Sequence, residues 1–165
     1  MSELRVSVRR AKPSDVPAIT GLVNAARKGK PPLGQDEVRE RVLQKGYRIA
    51  ISRQGAAVAG WQTENLVTLV DDFYVYPGKL LAELASPLIA EVEGAAAELA
   101  CEAAIFFLPQ DASEDQFMFL LDKDYLPQEM ESLHPYWREV AQERVSEGTV
   151  MMVKQLSDQI RTEPL

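Results

Sequence analysis

The chain has 165 residues, of which 46% are hydrophobic and 26% are charged, and its formal net charge is −7. This length is enough for one domain with a hydrophobic core, while no apolar run approaches the roughly 20 residues of a membrane span. The acidic balance predicts that neither nucleic acid nor an anionic membrane is a main partner, because both bind clustered Lys and Arg.

The compartment is predicted from two features of the sequence. The single cysteine, Cys101, cannot form an internal disulfide. The first residues lack the apolar core of a secretory signal. Together these features predict a cytoplasmic protein.

The first elements are predicted to be one strand and two helices. Leu4, Val6 and Val8 alternate with polar residues, which indicates a half-buried strand. Ser14 or Asp15 is expected to cap the first helix. The apolar positions of that helix are Val16, Ile19, Leu22, Val23 and Ala26.

The second helix is predicted over residues 35–45, after a loop that contains Pro31 and Pro32. Its inward positions are predicted to be Val38, Val42 and Leu43. Its other face is predicted to be solvated and consists of Glu37, Arg39, Glu40, Arg41 and Lys45.

Three strands joined by short turns are predicted next, over residues 47–53, 56–64 and 66–76. Gln54-Gly55 forms the first of these turns. The third strand ends at Tyr76-Pro77-Gly78, and a helical pattern follows. Its apolar positions are Leu81, Leu84, Leu88, Val92, Ala95 and Leu99.

A further strand over residues 104–108 completes a strand–helix–strand unit. Ligands of such units bind at the carboxyl end of the first strand, against the helix N-terminus. A helix over 114–122, a short strand within 125–132 and a final strand over 149–155 are predicted after it. Residues 134–145 fit a helix or a loop, and residues 157–165 are predicted to be a loose tail. The fold class is therefore α/β (α+β), with a mixed, mainly antiparallel sheet of about six or seven strands and about four helices.

Three segments of the chain resemble the GCN5-related N-acetyltransferases, the GNAT superfamily. VSVRRAKPSDVPAITGLVNAA, residues 6–26, is similar to the first strand and helix of that family. Val58-Ala59-Gly60-Trp61 is similar to its third strand, and residues 73–77 to the end of its fourth strand. The resemblance covers residues 4–155 and implies a single GNAT-like acyltransferase domain over 1–155 with a C-terminal tail at 156–165. It also implies acetyl-CoA as cofactor and a small-molecule or protein amine as acceptor.

The resemblance fails at the loop that binds the coenzyme A diphosphate in the family. The family pattern, Arg or Gln, two residues, Gly, one residue, Gly or Ala, falls on Leu80, Glu83 and Ala85, and only the last fits. Glu83 places a carboxylate where a phosphate loop needs bare backbone N–H groups. Ser86-Pro87 is expected to start the helix, with Pro87 removing a donor from its first turn. The cofactor-binding residues that the resemblance implies are Tyr74, Val75, Lys79, Ala85 and Ser86.

Four residues are candidates for acid–base chemistry. Asp71 and Asp72 interrupt an apolar strand where the family often has a bulge, and Glu64 ends the preceding strand; each is a candidate base or a solvated carboxylate. The proton-donating tyrosine of the family falls on Leu120, so Tyr125 is a candidate only if the register slips, and otherwise packs in the core.

The remaining features bear on metals and assembly. His134 is the only histidine, so no metal site is predicted. Tyr136 and Trp137 look exposed in a polar stretch and predict a homodimer; packing in the core is the alternative for Trp137. The sequence thus predicts an acetyl-CoA-dependent N-acyltransferase with an altered cofactor loop. The alternative is a non-catalytic GNAT-fold protein that binds a ligand or dimerises, and that has lost the cofactor.

Overall fold

The structure, a computed structural model, describes residues 4–27, 30–109 and 112–163. These residues form seven strands and five α-helices. The strands are β1 (Ser7–Arg10), β2 (Gly46–Ile51), β3 (Ala56–Glu64), β4 (Val67–Tyr76), β5 (Ala103–Pro109), β6 (Leu126–Gln128) and β7 (Thr149–Gln155). The helices are α1 (Val16–Ala26), α2 (Gln35–Gln44), α3 (Leu81–Glu98), α4 (Glu114–Asp122) and α5 (Pro135–Gln142).

The strands form one sheet in the order β1-β2-β3-β4-β5-β7-β6. β4 and β5 are parallel, with Val67–Val70 paired to Ala103–Phe106, and α3 connects them. The pairs β1–β2, β2–β3, β5–β7 and β6–β7 are antiparallel. The prediction of a mixed, mainly antiparallel sheet is therefore confirmed.

Contacts divide the chain into two compact units, which are described separately. The first unit comprises Met1–Trp61 and Asp72–Val92, and the second comprises Gln62–Asp71 and Glu93–Leu165. In the first unit, the inward faces of α1 and α2 pack on β2 and β3. The buried residues of this core are Val16, Ile19, Val23, Val38, Tyr47, Ile49 and Val58.

In the second unit, α5 packs on β4, β5 and β7. The buried residues of this core are Val67, Leu69, Ala103, Ile105, Leu133, Trp137, Val140, Ala141, Met151 and Val153. Trp137 is only 6% exposed, so of the two places predicted for it, a surface contact and the core, it occupies the core. Its large ring is buried because it lies on the same helical face as Val140 and Ala141.

Helix α3 begins at Leu81, the first position of the predicted apolar pattern, and not at Ser86-Pro87. Pro87 lies inside it, so the interpretation of Ser86-Pro87 as the helix start is wrong. Leu84 and Leu88 are fully buried on either side of the proline. Burying these side chains stabilises the helix by more than one missing backbone hydrogen bond costs.

The end of α2 also differs from the prediction. Leu43 was expected to face inward, but it is 70% exposed. Val38 occupies the inward position with 2% exposure, and Val42 is partly buried beside it. One helical face cannot bury Val38, Val42 and Leu43 equally, since consecutive residues lie 100° apart around the axis.

The segment after β7 is irregular but anchored, rather than loose as predicted. The buried carboxylate of Glu102 accepts a hydrogen bond from the backbone N–H of Arg161 at 2.6 Å and from Nε1 of Trp137 at 3.1 Å. The Arg161 guanidinium donates to the Asn65 carbonyl at 2.7 Å and lies over the Tyr136 ring. Residues 156–162 are thus part of the second unit. Among the described residues, none of the helices combines the length and the apolar character of a membrane span.

Candidate functional site

Asp72 marks an irregularity in strand β4 of the first unit. Its backbone φ is 48°, in the left-handed region that a strand residue does not normally adopt. Aspartate tolerates this region better than most residues because its short side chain forms local polar contacts. The irregularity lies where the family resemblance implies a bulge.

Three donors converge on the Asp72 carboxylate. Oδ2 accepts hydrogen bonds from the Tyr47 hydroxyl and from Nζ of Lys45 at 3.1 Å, and Oδ1 accepts one from Nη1 of Arg41 at 3.1 Å. The side chain is 13% exposed. A carboxylate that accepts hydrogen bonds from two cations and a phenol acts as a structural acceptor, so the candidate base of the sequence is already occupied.

Arg41 connects this cluster to the surface of α2. Its other terminal nitrogen pairs with Glu37 at 3.1 Å. Burial is the largest single influence on the pKa of Arg41 and lowers it, but the electrostatic interactions with Asp72, Tyr47, Glu37 and Tyr74 together raise it overall. The prediction that Arg41 and Lys45 belong to a solvated face is therefore wrong. Their partner lies on β4, distant in sequence, although their i, i+4 spacing already placed them on one face with Glu37.

A cleft of about 390 Å³ adjoins the cluster and shares two of its residues, Lys45 and Tyr47. We call it the α2 cleft. It is formed by the end of β1, the turn after it and the last turn of α2. Its other lining residues are Arg10, Ala11, Pro13, Val42, Leu43, Gln44 and Gly46.

The turn between β4 and α3 is the candidate diphosphate site. Gly78–Leu80 form a single 3-10 turn that continues into α3. The Leu80 N–H donates to the Pro77 carbonyl at 3.1 Å, and the Leu81 N–H donates to the Gly78 carbonyl. These backbone donors are therefore already used.

The side chains at this turn include one exposed carboxylate and one exposed cation. Glu83 is exposed in the first turn of α3, where the helix dipole favours a carboxylate and the carboxylate repels a phosphate. Ala85, predicted to bind the cofactor, is fully buried. Lys79 is the exposed cation of the turn. Pro87 lies beyond the first turn, so the prediction that it removes an N-terminal donor is wrong.

The remaining predicted cofactor residues lie on either side of this turn. Val75 is 6% exposed, and Tyr74 packs against the core of the first unit. Ser86 is half-buried in α3. The strand end is fixed by the β2–β3 hairpin, because a Cβ atom on Gly55 would lie 2.5 Å from the Tyr76 carbonyl oxygen.

Tyr125, the candidate proton donor, is fully buried in the second unit. Its hydroxyl donates to Glu93 at 3.0 Å, and Nζ of Lys154 donates to the same carboxylate at 2.9 Å. Burial, and then the charge of Glu93, raise the pKa of Tyr125. A buried phenol with its proton held by a carboxylate packs as a core residue, and nothing in the sequence pattern signals Glu93 as its partner. Leu120 is also fully buried.

The two other candidates lie in the same unit. Glu64 pairs with Arg144 at 3.0 Å, and Asp71 is half-buried. The hydrogen bonds of Asp72, Glu64 and Tyr125 go to three different sets of partners. Among the residues that the structure describes, no group of three or more His, Cys, Asp and Glu side chains is arranged to hold a metal ion.

No protein-family model and no curated protein sequence matches the chain. Solved structures do. The PaiA N-acetyltransferase from Thermoplasma acidophilum, in complex with coenzyme A, is 8% identical over 92% of this chain and 99% of its own, with a TM-score of 0.69. A GNAT-family acetyltransferase from Staphylococcus aureus Mu50 is 10% identical over 93% of this chain and all of its own, with a TM-score of 0.72.

A third structure is a GNAT-superfamily phosphinothricin acetyltransferase from Sinorhizobium meliloti in complex with acetyl-CoA. It is 15% identical over 97% of this chain and 93% of its own, with a TM-score of 0.67. At these identities the similarity establishes the fold. The chain is therefore a divergent protein of the GNAT fold, as its sequence resemblance predicts.

Proposed function

We propose that the chain is an acyl-CoA-dependent N-acyltransferase of the GNAT type with a weakened hold on the coenzyme A diphosphate. The observation that carries this proposal is the fold itself, which matches structures containing coenzyme A or acetyl-CoA over more than nine tenths of the chain. The irregularity at Asp72 in β4, followed directly by α3, supports it. The acceptor is an amine, on a small molecule or a protein.

When bound, the cofactor would supply an activated acyl thioester, and the side chains of this protein would position the reactants. The Asp72 carboxylate holds Tyr47, Lys45 and Arg41 in fixed positions. In the turn after β4, the N–H groups of Leu80 and Leu81 donate to carbonyls of the turn itself. Because Glu83 weakens the hold of this turn on a diphosphate, no catalytic step is assigned to the turn.

The binding test is calorimetric titration with acetyl-CoA. A carboxylate about 4 Å from a phosphate costs roughly 4 kcal/mol at an effective dielectric near 20, which is on the order of a thousandfold in affinity. Solvent screening reduces this cost, so we expect binding much weaker than micromolar. A low micromolar Kd for the unmodified chain would contradict the charge argument and leave the acyltransferase proposal standing.

Replacing Glu83 with glutamine is the matched variant, and we expect Glu83→Gln to tighten acetyl-CoA binding about tenfold or more. Glu98→Gln is the control, because it removes the same charge at the other end of α3, beyond the reach of an exposed charge in salt. Activity is then measured as thiol release from acetyl-CoA with a panel of amines. Binding without thiol release for any amine would refute the acyltransferase.

The second candidate is a non-catalytic GNAT-fold protein that binds another ligand or a second copy of itself. The observation that favours it is that the predicted base and the predicted acid are both occupied, Asp72 by two cations and Tyr125 by Glu93. Analytical sedimentation at micromolar concentration distinguishes a protein that binds a second copy of itself from a monomer that binds another ligand. A single 18 kDa species would exclude the homodimer. The homodimer stays a prediction, and it has lost one of its two motives because Trp137 is buried.

A further inference from the structure

The α2 cleft has an unusual charge for this chain. The chain carries 25 acidic and 18 basic side chains. The cleft is lined by two cations, Arg10 and Lys45, and by no carboxylate. Lys45 has Asp72 as its counter-ion, whereas no described carboxylate forms an ion pair with Arg10. The cleft therefore has a cation to offer to a ligand.

The remaining lining is largely apolar. Ala11 and Pro13 lie on one side and Val42 and Leu43 on the other. Leu43 is 70% exposed, although it belongs to a helix whose neighbouring apolar positions are covered. An apolar ligand group in the cleft would cover this side chain. The volume of about 390 Å³ lies in the range of small-molecule sites.

The end of α2 at Gln44 opposes an anion to some extent, because the last carbonyls of a helix carry a partial negative charge of about half a unit. The full positive charge of Arg10 outweighs it, although Lys45 is already paired with Asp72. One of these carbonyls, that of Arg41, already accepts the backbone N–H of Lys45 at 3.0 Å. The net field in the cleft therefore favours a negatively charged group.

We propose that the α2 cleft binds a small amphiphilic carboxylate. The carboxylate pairs with Arg10 in the field of Lys45, and the apolar body covers Leu43 and Val42. This site involves neither the turn after β4 nor acyl transfer, so it stands independently of the proposed function.

The test is a titration of the ¹⁵N-labelled full chain, followed by NMR, with hexanoate and its uncharged isostere hexanamide. Hexanoate should shift the amides of Ala11, Gln44, Gly46 and Tyr47 in a saturable way. The affinity for hexanamide should be lower by a factor of about ten or more, because hexanamide cannot form the charge-assisted hydrogen bond. Acetate, which has the charge but no apolar body, should also bind weakly.

Two exposed positions give variants that keep the core intact. Arg10→Gln should weaken hexanoate about tenfold and leave hexanamide unchanged, and Leu43→Ser should weaken both ligands. Arg53→Gln is the control, since Arg53 is an exposed arginine outside the cleft. Equal binding of hexanoate and hexanamide, an unchanged affinity in Arg10→Gln, or no saturable shift at these four amides would overturn the proposal. Acetate binding as tightly as hexanoate would overturn the apolar part of it.

Discussion

Asp72 is the residue on which the polar contacts of the first unit converge. The sequence identified it as unusual because a carboxylate interrupts an apolar strand. Its role was not predictable, since that depends on Arg41, Lys45 and Tyr47, which are 25 or more residues away in sequence. A sequence pattern shows which face a residue occupies, and only the packing of elements shows what that face meets.

Replacing this carboxylate should cost stability. We expect Asp72→Asn to lower the free energy of unfolding by about 1–3 kcal/mol, because Arg41 and Lys45 lose a shared, largely buried counter-charge. Urea denaturation measures the loss. Asp36→Asn makes the same change at a fully exposed carboxylate on α2 and should stay within about 0.5 kcal/mol of the unmodified chain. Equal effects of the two substitutions would show that the cluster contributes no more than a surface pair.

Asp15 should govern part of the acid stability. Both of its carboxylate oxygens accept hydrogen bonds from the Arg9 guanidinium, at 2.7 and 2.8 Å, and this interaction is the main reason that the pKa of Asp15 is lowered to about 2. Because the folded pKa lies below the unfolded value, the stabilisation is present above about pH 4 and is lost as the pH falls to about 2.

An NMR titration of the Asp15 carboxyl carbon checks this prediction. In Arg9→Gln the pKa should rise towards its ordinary value of 3.8, and the loss of stability between pH 4 and pH 2 should shrink. Arg5→Gln is the control, because it removes a positive charge close to Arg9 in the sequence and leaves the Arg9–Asp15 ion pair in place. A pKa that stays near 2 in Arg9→Gln would assign the shift to the backbone N–H of Lys12 instead.

At the scale of elements, periodicity predicted β3, α4 and β7 with their observed bounds. β3 and β7 are apolar runs that each begin directly after a glycine, and α4 begins after Ser113, which accepts a hydrogen bond from the Gln116 N–H. Two sequence signals disagreed on the start of α3: the apolar pattern from Leu81 gave the observed start, and Ser86-Pro87 indicated a later one. Tertiary packing decided the outcome, and it is the information that a local pattern lacks.

The β2–β3 hairpin should be sensitive to a single methyl group. In Gly55→Ala the new Cβ would lie 2.5 Å from the Tyr76 carbonyl oxygen and 2.6 Å from Cδ of Pro77, so the turn or the strand end must move. We expect a loss of about 1–3 kcal/mol in the free energy of unfolding.

Gly94→Ala is the matched comparison, with the opposite expected sign. Gly94 is exposed within α3, and a Cβ there meets no atom within 4 Å. Alanine should therefore stabilise the helix by about 0.5–1 kcal/mol. Thermal unfolding of both variants measures the pair, and a stable Gly55→Ala protein would show that the hairpin is not packed against the end of β4.

At the scale of the whole molecule, the sequence predicted the sheet and its mixed direction but not the role of residues 156–162. Their composition is polar, which suggested a loose end. Their anchoring depends on Glu102, a buried carboxylate 59 residues before Arg161. Ile160 also packs against the core of the second unit.

Removing this segment should therefore destabilise the second unit. A chain ending at Gln155 loses Arg161 and leaves the Glu102 carboxylate buried beside Trp137, which we expect to cost about 3 kcal/mol or more. A chain ending at Thr162 keeps the ion pair and is the control. Urea denaturation followed by tryptophan fluorescence measures both. Equal stability of the two chains would show that residues 156–162 contribute nothing to the stability of the second unit.

The cluster around Asp72 also restricts how this protein can change over generations. Loss of the carboxylate alone leaves two cations facing each other, and loss of either cation alone leaves the carboxylate with fewer donors. Substitutions at positions 41, 45 and 72 should therefore accumulate together, with a neutral residue at 72 tolerated only after one of the cations has gone. Among sequences that descend from this one, the residues at these three positions should covary.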